Sequence, residues 1–419
     1  MKKKINSKVN FWCLLVYLFA FERALTGLWS GFSYLDEAFM IATVGLVFIK
    51  VARQSLMLKR TEFIMLLCLV LLCFIGIISN ITASIFTDKM PIIIDIISTT
   101  KVWLAYYAIL TINQSGQFFD DLLKKVTFWG RIWTIIMLLC LIASMVINIG
   151  MTGGERYGFA SFQFVFNNPG NFSKLFYFLI PILTADLMYS NSRYKKCVIG
   201  IALLVWLSTM RSRAFAFVAV YLILTFLFFS TNGKRLGLMI RNRIKVIYLV
   251  PVALIAVTIC WNQIIFYFTT ATQARAVLLR YGLKTMMDYF PFGAGFGTFG
   301  SDIAFTHYSK LYQQYGFNSI YGMREGEGYF LNDNYWPMIM GQFGILGFVL
   351  VLYILFIFMR MVLQETKKNR YLYFASFCAL GFLALSSVAS KSYSEYSSIC
   401  VFLLLGIFVQ RERKMSRNI

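Results

Sequence analysis

The sequence predicts an all-α polytopic membrane protein with about twelve spanning helices and one large external loop. Three observations predict it. Hydrophobic residues make up 59% of the 419 and charged residues only 14%, whereas soluble domains sit nearer half and a quarter. The apolar residues gather into segments close to the roughly twenty residues that cross a bilayer. Between Gln263 and Trp336 the hydrophobicity stops, and a polar, aromatic segment with glycines and arginines runs for about seventy residues, too long for an idle connection.

The expected spans cover residues 11–28, 34–50, 62–81, 91–111, 127–149, 172–189, 195–210, 214–230, 245–263, 336–361, 371–388 and 395–410. The first follows Lys2, Lys3 and Lys4 like a signal peptide. It holds Glu22 and Arg23 and lacks a clear small-residue cleavage site, so it reads as a retained helix. Only Arg211 and Arg213 separate the spans at 195–210 and 214–230. Lysines and arginines set the orientation, because they collect on the cytoplasmic side of membrane proteins. Most of the 40 here fall inside if the N-terminus is cytoplasmic. The chain then divides into helices over 1–263, an external loop over 264–335 and helices over 336–419, with both termini inside. The same bias explains the net charge of +22. The cations sit at helix ends and form no separate basic face, which excludes nucleic acid as a partner.

The eight cysteines all lie in apolar spans and read as small buried hydrophobes, with neither a disulfide framework nor zinc spacing. No metal site is legible and no cofactor is expected. No internal repeat relates the two halves, which counts against an inverted-repeat transporter.

Within the insert, residues 272–290 fit an amphipathic helix whose stripe is Leu279, Leu283, Met286, Met287 and Phe290, lying flat on the membrane. A glycine-rich run, residues 291–300, follows. It reads either as a backbone nest for an anion or as a plain loop with aromatic plugs. A second amphipathic stretch, 301–315, carries His307, the single histidine, which reads as a packed residue. The acidic Glu325, Glu327 and Asp333 precede the returning helix, whose Trp336-Pro337 start suits a first turn.

Arginine recurs on the outer face: Arg156 in the 150–171 segment, Arg211 and Arg213 in the tight turn, Arg275 and Arg280 in the insert. A guanidinium grips phosphate with two parallel hydrogen bonds, so these could cage a diphosphate, or each could anchor its helix to lipid. Asp333 is either a general base or a carboxylate favoured by a helix start. Within the spans, Glu22, Arg23, Asp95, Lys101, Arg131 and Asp186 are ionisable, and such groups in a membrane default to functional candidates. Asp95 and Lys101 read as a helix-packing pair.

The order of these features resembles a known superfamily. Arg156-Tyr157-Gly158 and Asn168-Pro169 come first, then Ser212-Arg213-Ala214 at a helix end. An arginine-bearing helix next runs into Pro-x-Gly-x-Gly-x-Gly, from Arg275 to Gly297. Asp333-Asn334-Tyr335 follows, ahead of Gly344-Ile345-Leu346-Gly347. Over residues 150 to 350 this is similar to the O-antigen ligase and Wzy-type polysaccharide polymerase superfamily. The resemblance implies a GT-C-like, metal-independent inverting glycosyltransferase of the bacterial cytoplasmic membrane, with its active site facing outward. Its donor would be an undecaprenyl-diphosphate-linked oligosaccharide, and its other partners membrane lipid, a chain-length regulator and a flippase. The ligase branch carries a histidine where this chain has Asp333, which favours the polymerase branch. Arg213, Arg275 and Arg280 are then expected on the diphosphate, with Arg156 and Arg211 as secondary contacts. Asp333 and Arg280 join Arg213 as catalytic candidates, with Asn334 and Tyr335 near the sugars. The alternatives are ligase-type transfer to a different acceptor, or a lipid-linked oligosaccharide flippase.

Overall fold

The structure, a computed structural model, describes residues 2–53, 58–85, 89–147, 149–229, 273–327, 330–331 and 334–416. Numbered over these, the helices are α1 (Lys2–Thr26), α2 (Leu35–Ala52), α3 (Arg60–Ala83), α4 (Met90–Leu110), α5 (Gly116–Val146), α6 (Pro169–Asp186), α7 (Arg193–Leu207) and α8 (Ser212–Phe229). The insert contributes α9 (Ala274–Asp288), α10 (Asp302–Thr306) and α11 (Lys310–Gln314), and the chain closes with α12 (Tyr335–Thr366), α13 (Arg370–Ser386) and α14 (Ile399–Met415). A short antiparallel hairpin, β1 (Thr152–Arg156) and β2 (Phe159–Phe162), sits between α5 and α6.

Among the described residues six helices are long and apolar enough to cross a membrane: α1 from Asn6, α3, α4, α5, α8 and α12. The other expected spans also appear as helices, except 245–263, which lies outside the described residues. Polar side chains start several of them. Ser115, Asn168, Ser192 and Asn369 each accept a hydrogen bond from a backbone N–H of the first turn, which satisfies donors that have no partner within the helix. Helices α6 and α14 are buried on nearly every side and form the centre of the bundle, as helices apolar all round must. Helices α2 and α3 carry exposed Phe48, Phe63 and Phe74, an apolar perimeter of the kind that faces lipid.

One end of the bundle is an ion-pair mesh. Arg413 binds Glu62 at 2.6 Å and Glu365 at 3.2 Å, and Arg411 binds Asp120 at 2.7 Å. Asp186 receives Lys195 at 3.0 Å and Arg131 at 3.5 Å, so the two in-span charges of α5 and α6 serve packing.

Several expectations change. Lys101 pairs with Asp36 of α2, not with Asp95, because residues six apart on a helix do not share a face. Cys197 is exposed, unlike a buried hydrophobe, and Cys260 lies outside the described residues. His307 is exposed at the end of α10, where the expected single stretch breaks before α11 begins. In α9 the face turned to the protein is Val277, Leu278, Gly282, Thr285 and Met286, packed on α12. Of the anticipated stripe, Met286 joins this face, Leu279 is half-buried, and Leu283, Met287 and Phe290 are exposed.

Candidate functional site

The insert, the hairpin, the α7–α8 turn and the loop 387–398 meet at the other end of the bundle. Backbone N–H of Phe162 donates to the Ser208 carbonyl at 2.9 Å, and the Tyr157 hydroxyl shares a 3.1 Å hydrogen bond with Ser212. These ties hold the hairpin against the arginine turn. Asn168 starts α6 and is used twice: its Oδ1 accepts from the Gly170 N–H at 2.7 Å and from Arg211 Nη2 at 3.0 Å. Arg213 lies on the same helix start, since a Cβ on Gly170 would come 3.6 Å from its Nη2. Its Nη1 is buried and meets no hydrogen-bond acceptor among the described residues.

One turn into α6, Lys174 binds Glu395 of the loop at 2.7 Å. Burial pushes the Glu395 carboxyl up, but Lys174, Lys391 and Arg213 outweigh it and hold the group below the usual carboxylate range. Three cations, Lys174, Lys391 and Arg213, thus act on the Glu395 carboxylate, and Arg211 lies beside Arg213 at Asn168. The loop reaches further. Lys391 pairs with Asp302 of α10. Trp336 donates to Ser387 at 3.1 Å, and the Tyr393 ring lies 5.3 Å from that of Tyr335.

Beside this corner is a polar cavity of about 330 Å³. Its wall comes from Glu22 and Arg23 of α1, Asp36 and Glu37 of α2, Lys101 of α4, Asp302 of the insert, and Lys391 and Glu395 of the loop. The cavity therefore lies between insert and bundle. Glu22 is only 3% exposed, and neither its Oε2 nor that of Glu37 has a hydrogen-bond partner among the described residues.

The glycine run does gather backbone N–H groups, and the protein itself supplies their acceptors. Gly297 donates to Asp95 Oδ2 at 2.6 Å and Phe296 to Asn80 Oδ1 at 2.8 Å. Gln342 of α12 closes the same carboxylate at 2.8 Å. The nest is thus filled by Asp95, and Phe296 plugs against Gly76, where any side chain would strike the ring. Gly344 breaks α12 at φ 60°, a left-handed backbone that glycine adopts freely, and so receives the loop at Pro291 and Gly293.

Of the residues singled out in the sequence, Arg211 and Arg213 come together. Arg156 is exposed on the hairpin attached to them, and Arg275 is half-buried at the start of α9. Arg280 is exposed on α9 and makes no hydrogen bond or ion pair among the described residues. Asp333 lies outside the described residues. Asn334 is buried just before α12, and Tyr335 is buried against Trp336 and Tyr393, supporting the loop 387–398. The insert tyrosines are mostly its own core: Tyr308 and Tyr312 pack with Phe299 and Phe317, while Tyr321 is 80% exposed. Glu325 and Glu327 are exposed.

The loop 387–398 escaped notice in the sequence because its serines and one Lys/Glu pair look like an ordinary connection. Glu22, Arg23 and Lys101 did stand out as charges within spans, and that was the available signal. Among the described residues no group of three or more histidine, cysteine, aspartate or glutamate side chains is arranged to hold a metal ion. Set against known proteins, the chain matches no family model and no curated protein.

Proposed function

We propose that this chain is a polysaccharide polymerase of the bacterial cytoplasmic membrane. It transfers glycan from an undecaprenyl-diphosphate-linked donor to the sugar end of another lipid-linked repeat unit, on the outer face, across a bundle of about twelve spans. The carrying observation is the buried, unpaired Nη1 of Arg213 within the cluster of Arg211, Lys174 and Lys391. Diphosphate is an acceptor-only anion, and a guanidinium with an unused buried donor is its natural partner.

The acceptor hydroxyl oxygen bonds to the anomeric carbon while the bond from that carbon to the diphosphate oxygen breaks. The electron pair leaves with the diphosphate, where Arg213 and Arg211 stabilise the growing charge. Of its two expected roles, Asp333 here takes that of the group that accepts the hydroxyl proton. No nucleotide is needed, because the lipid diphosphate is already a good leaving group. A cavity between insert and bundle supports transfer over transport, since a flippase requires a pathway open to both sides.

Purified protein given undecaprenyl-diphosphate oligosaccharide without nucleotide should yield a ladder of longer lipid-linked products. Arg213→Ala should abolish the ladder while the protein still inserts. Normal product lengths from that variant would refute the assignment.

A further inference from the structure

The acidic cavity is chemically unlike the arginine corner beside it. Lys101 is neutralised by Asp36 and Lys391 by Asp302. What remains unsatisfied is carboxyl: the buried Oε2 atoms of Glu22 and Glu37 meet no hydrogen-bond partner among the described residues. A buried polar group left unpaired is costly, so the natural occupant brings hydrogen-bonding groups of its own. A phosphate brings only acceptors, and the wall already holds the ion-paired carboxylates Asp36, Asp302 and Glu395. At about 330 Å³ the space sits at the low end of small-molecule pockets, and its charged wall suits a polar ligand rather than a lipid chain. Hydroxyls both donate and accept. They therefore match a wall that alternates carboxylates with Arg23, Asn171 and serines.

We infer that this cavity binds a saccharide unit, with its hydroxyls hydrogen-bonded to the Glu22 and Glu37 carboxyls. The inference deepens the transferase reading by naming where the sugar sits relative to the diphosphate. Glu395 joins the two: it lines the cavity and also pairs with Lys174 near Arg213.

The test uses the full chain in nanodiscs and saturation-transfer NMR to free glucose, N-acetylglucosamine and glucosamine. At least one of these probes should receive transfer from the wild type. Glu22→Ala should weaken that sugar's binding roughly fivefold, the expected size for one ordinary hydrogen bond. Ser33→Phe, on an exposed turn at the cavity rim, should block it even if the Glu22 variant fails to fold. Inorganic pyrophosphate should leave sugar binding unchanged. No transfer to any of the three sugars, displacement by pyrophosphate, or wild-type binding in Ser33→Phe would overturn the site. Sugar binding by a protein that extends no chain would leave the site standing and remove the polymerase reading.

Discussion

The Arg213 side chain sits at the start of α6, with its Nη1 buried. A serine-arginine-alanine turn between two apolar spans marked an outward guanidinium, and the turn does meet Asn168 and the start of α6. Arg213→Lys should fail to restore chain extension to Arg213→Ala, because an ammonium offers a point charge in place of a two-pronged donor. Substantial product from the lysine variant in the ladder assay would show that charge alone suffices. Glu395 could not be foreseen, since its importance comes from Lys174, more than two hundred positions earlier in the chain. Glu395→Ala leaves that lysine buried without its partner and should cost roughly 3 kcal/mol, read as a lower midpoint in a thermal unfolding scan. The pH dependence has a definite sign. The folded carboxyl titrates below its unfolded value, so the pair's contribution is complete above the ordinary glutamate value of about 4.3. It is lost as pH falls through the lower folded value. Wild type should therefore hold its midpoint from neutrality to about pH 5 and drop below about pH 4, with a shallower drop in Glu395→Gln.

At the scale of elements, hydropathy was a good guide to where helices run and a poor guide to which faces they bury. Apolar spans are visible because twenty consecutive apolar residues are rare elsewhere. In α9 the exposed Leu283 and Met287 lie beside the buried Val277, Leu278 and Met286, so periodicity alone found an apolar stripe but not which part of it meets the protein. The glycine run was legible as a nest, but its acceptor was not, because Asp95 sits in a helix far away in sequence. Asp95→Leu removes the acceptor for Gly297 and Gln342, at roughly 1–3 kcal/mol for each donor left unpaired. The insert should then become sensitive to external protease while the bundle remains resistant. Asp95→Asn keeps an acceptor and should protect it. Equal cleavage of wild type and Asp95→Leu would mean that the insert is held elsewhere.

For the molecule as a whole, the two ends differ in kind. One carries a mesh of matched ion pairs; the other carries the arginine turn beside a cavity lined by the Glu22 and Glu37 carboxyl atoms left unpaired among the described residues. With the mesh in the cytoplasm, Cys197, exposed near the start of α7, should react with a membrane-impermeant maleimide only after lysis. Tyr321→Cys on the insert should react in intact cells. The reverse pattern would invert the proposed topology. The pairing of Asp95 with Gly297 also sets an order of events. The carboxylate is made 202 residues before the amide that satisfies it. During synthesis α4 must enter the bilayer carrying an acid whose donors do not yet exist. The early helices are then an unfinished half, open to quality-control proteases until the ribosome has delivered the glycine run and α12. A truncation ending before residue 290 should be degraded rapidly in pulse-chase, and Asp95→Leu in that shortened chain should lengthen its life, although the same change harms the complete protein.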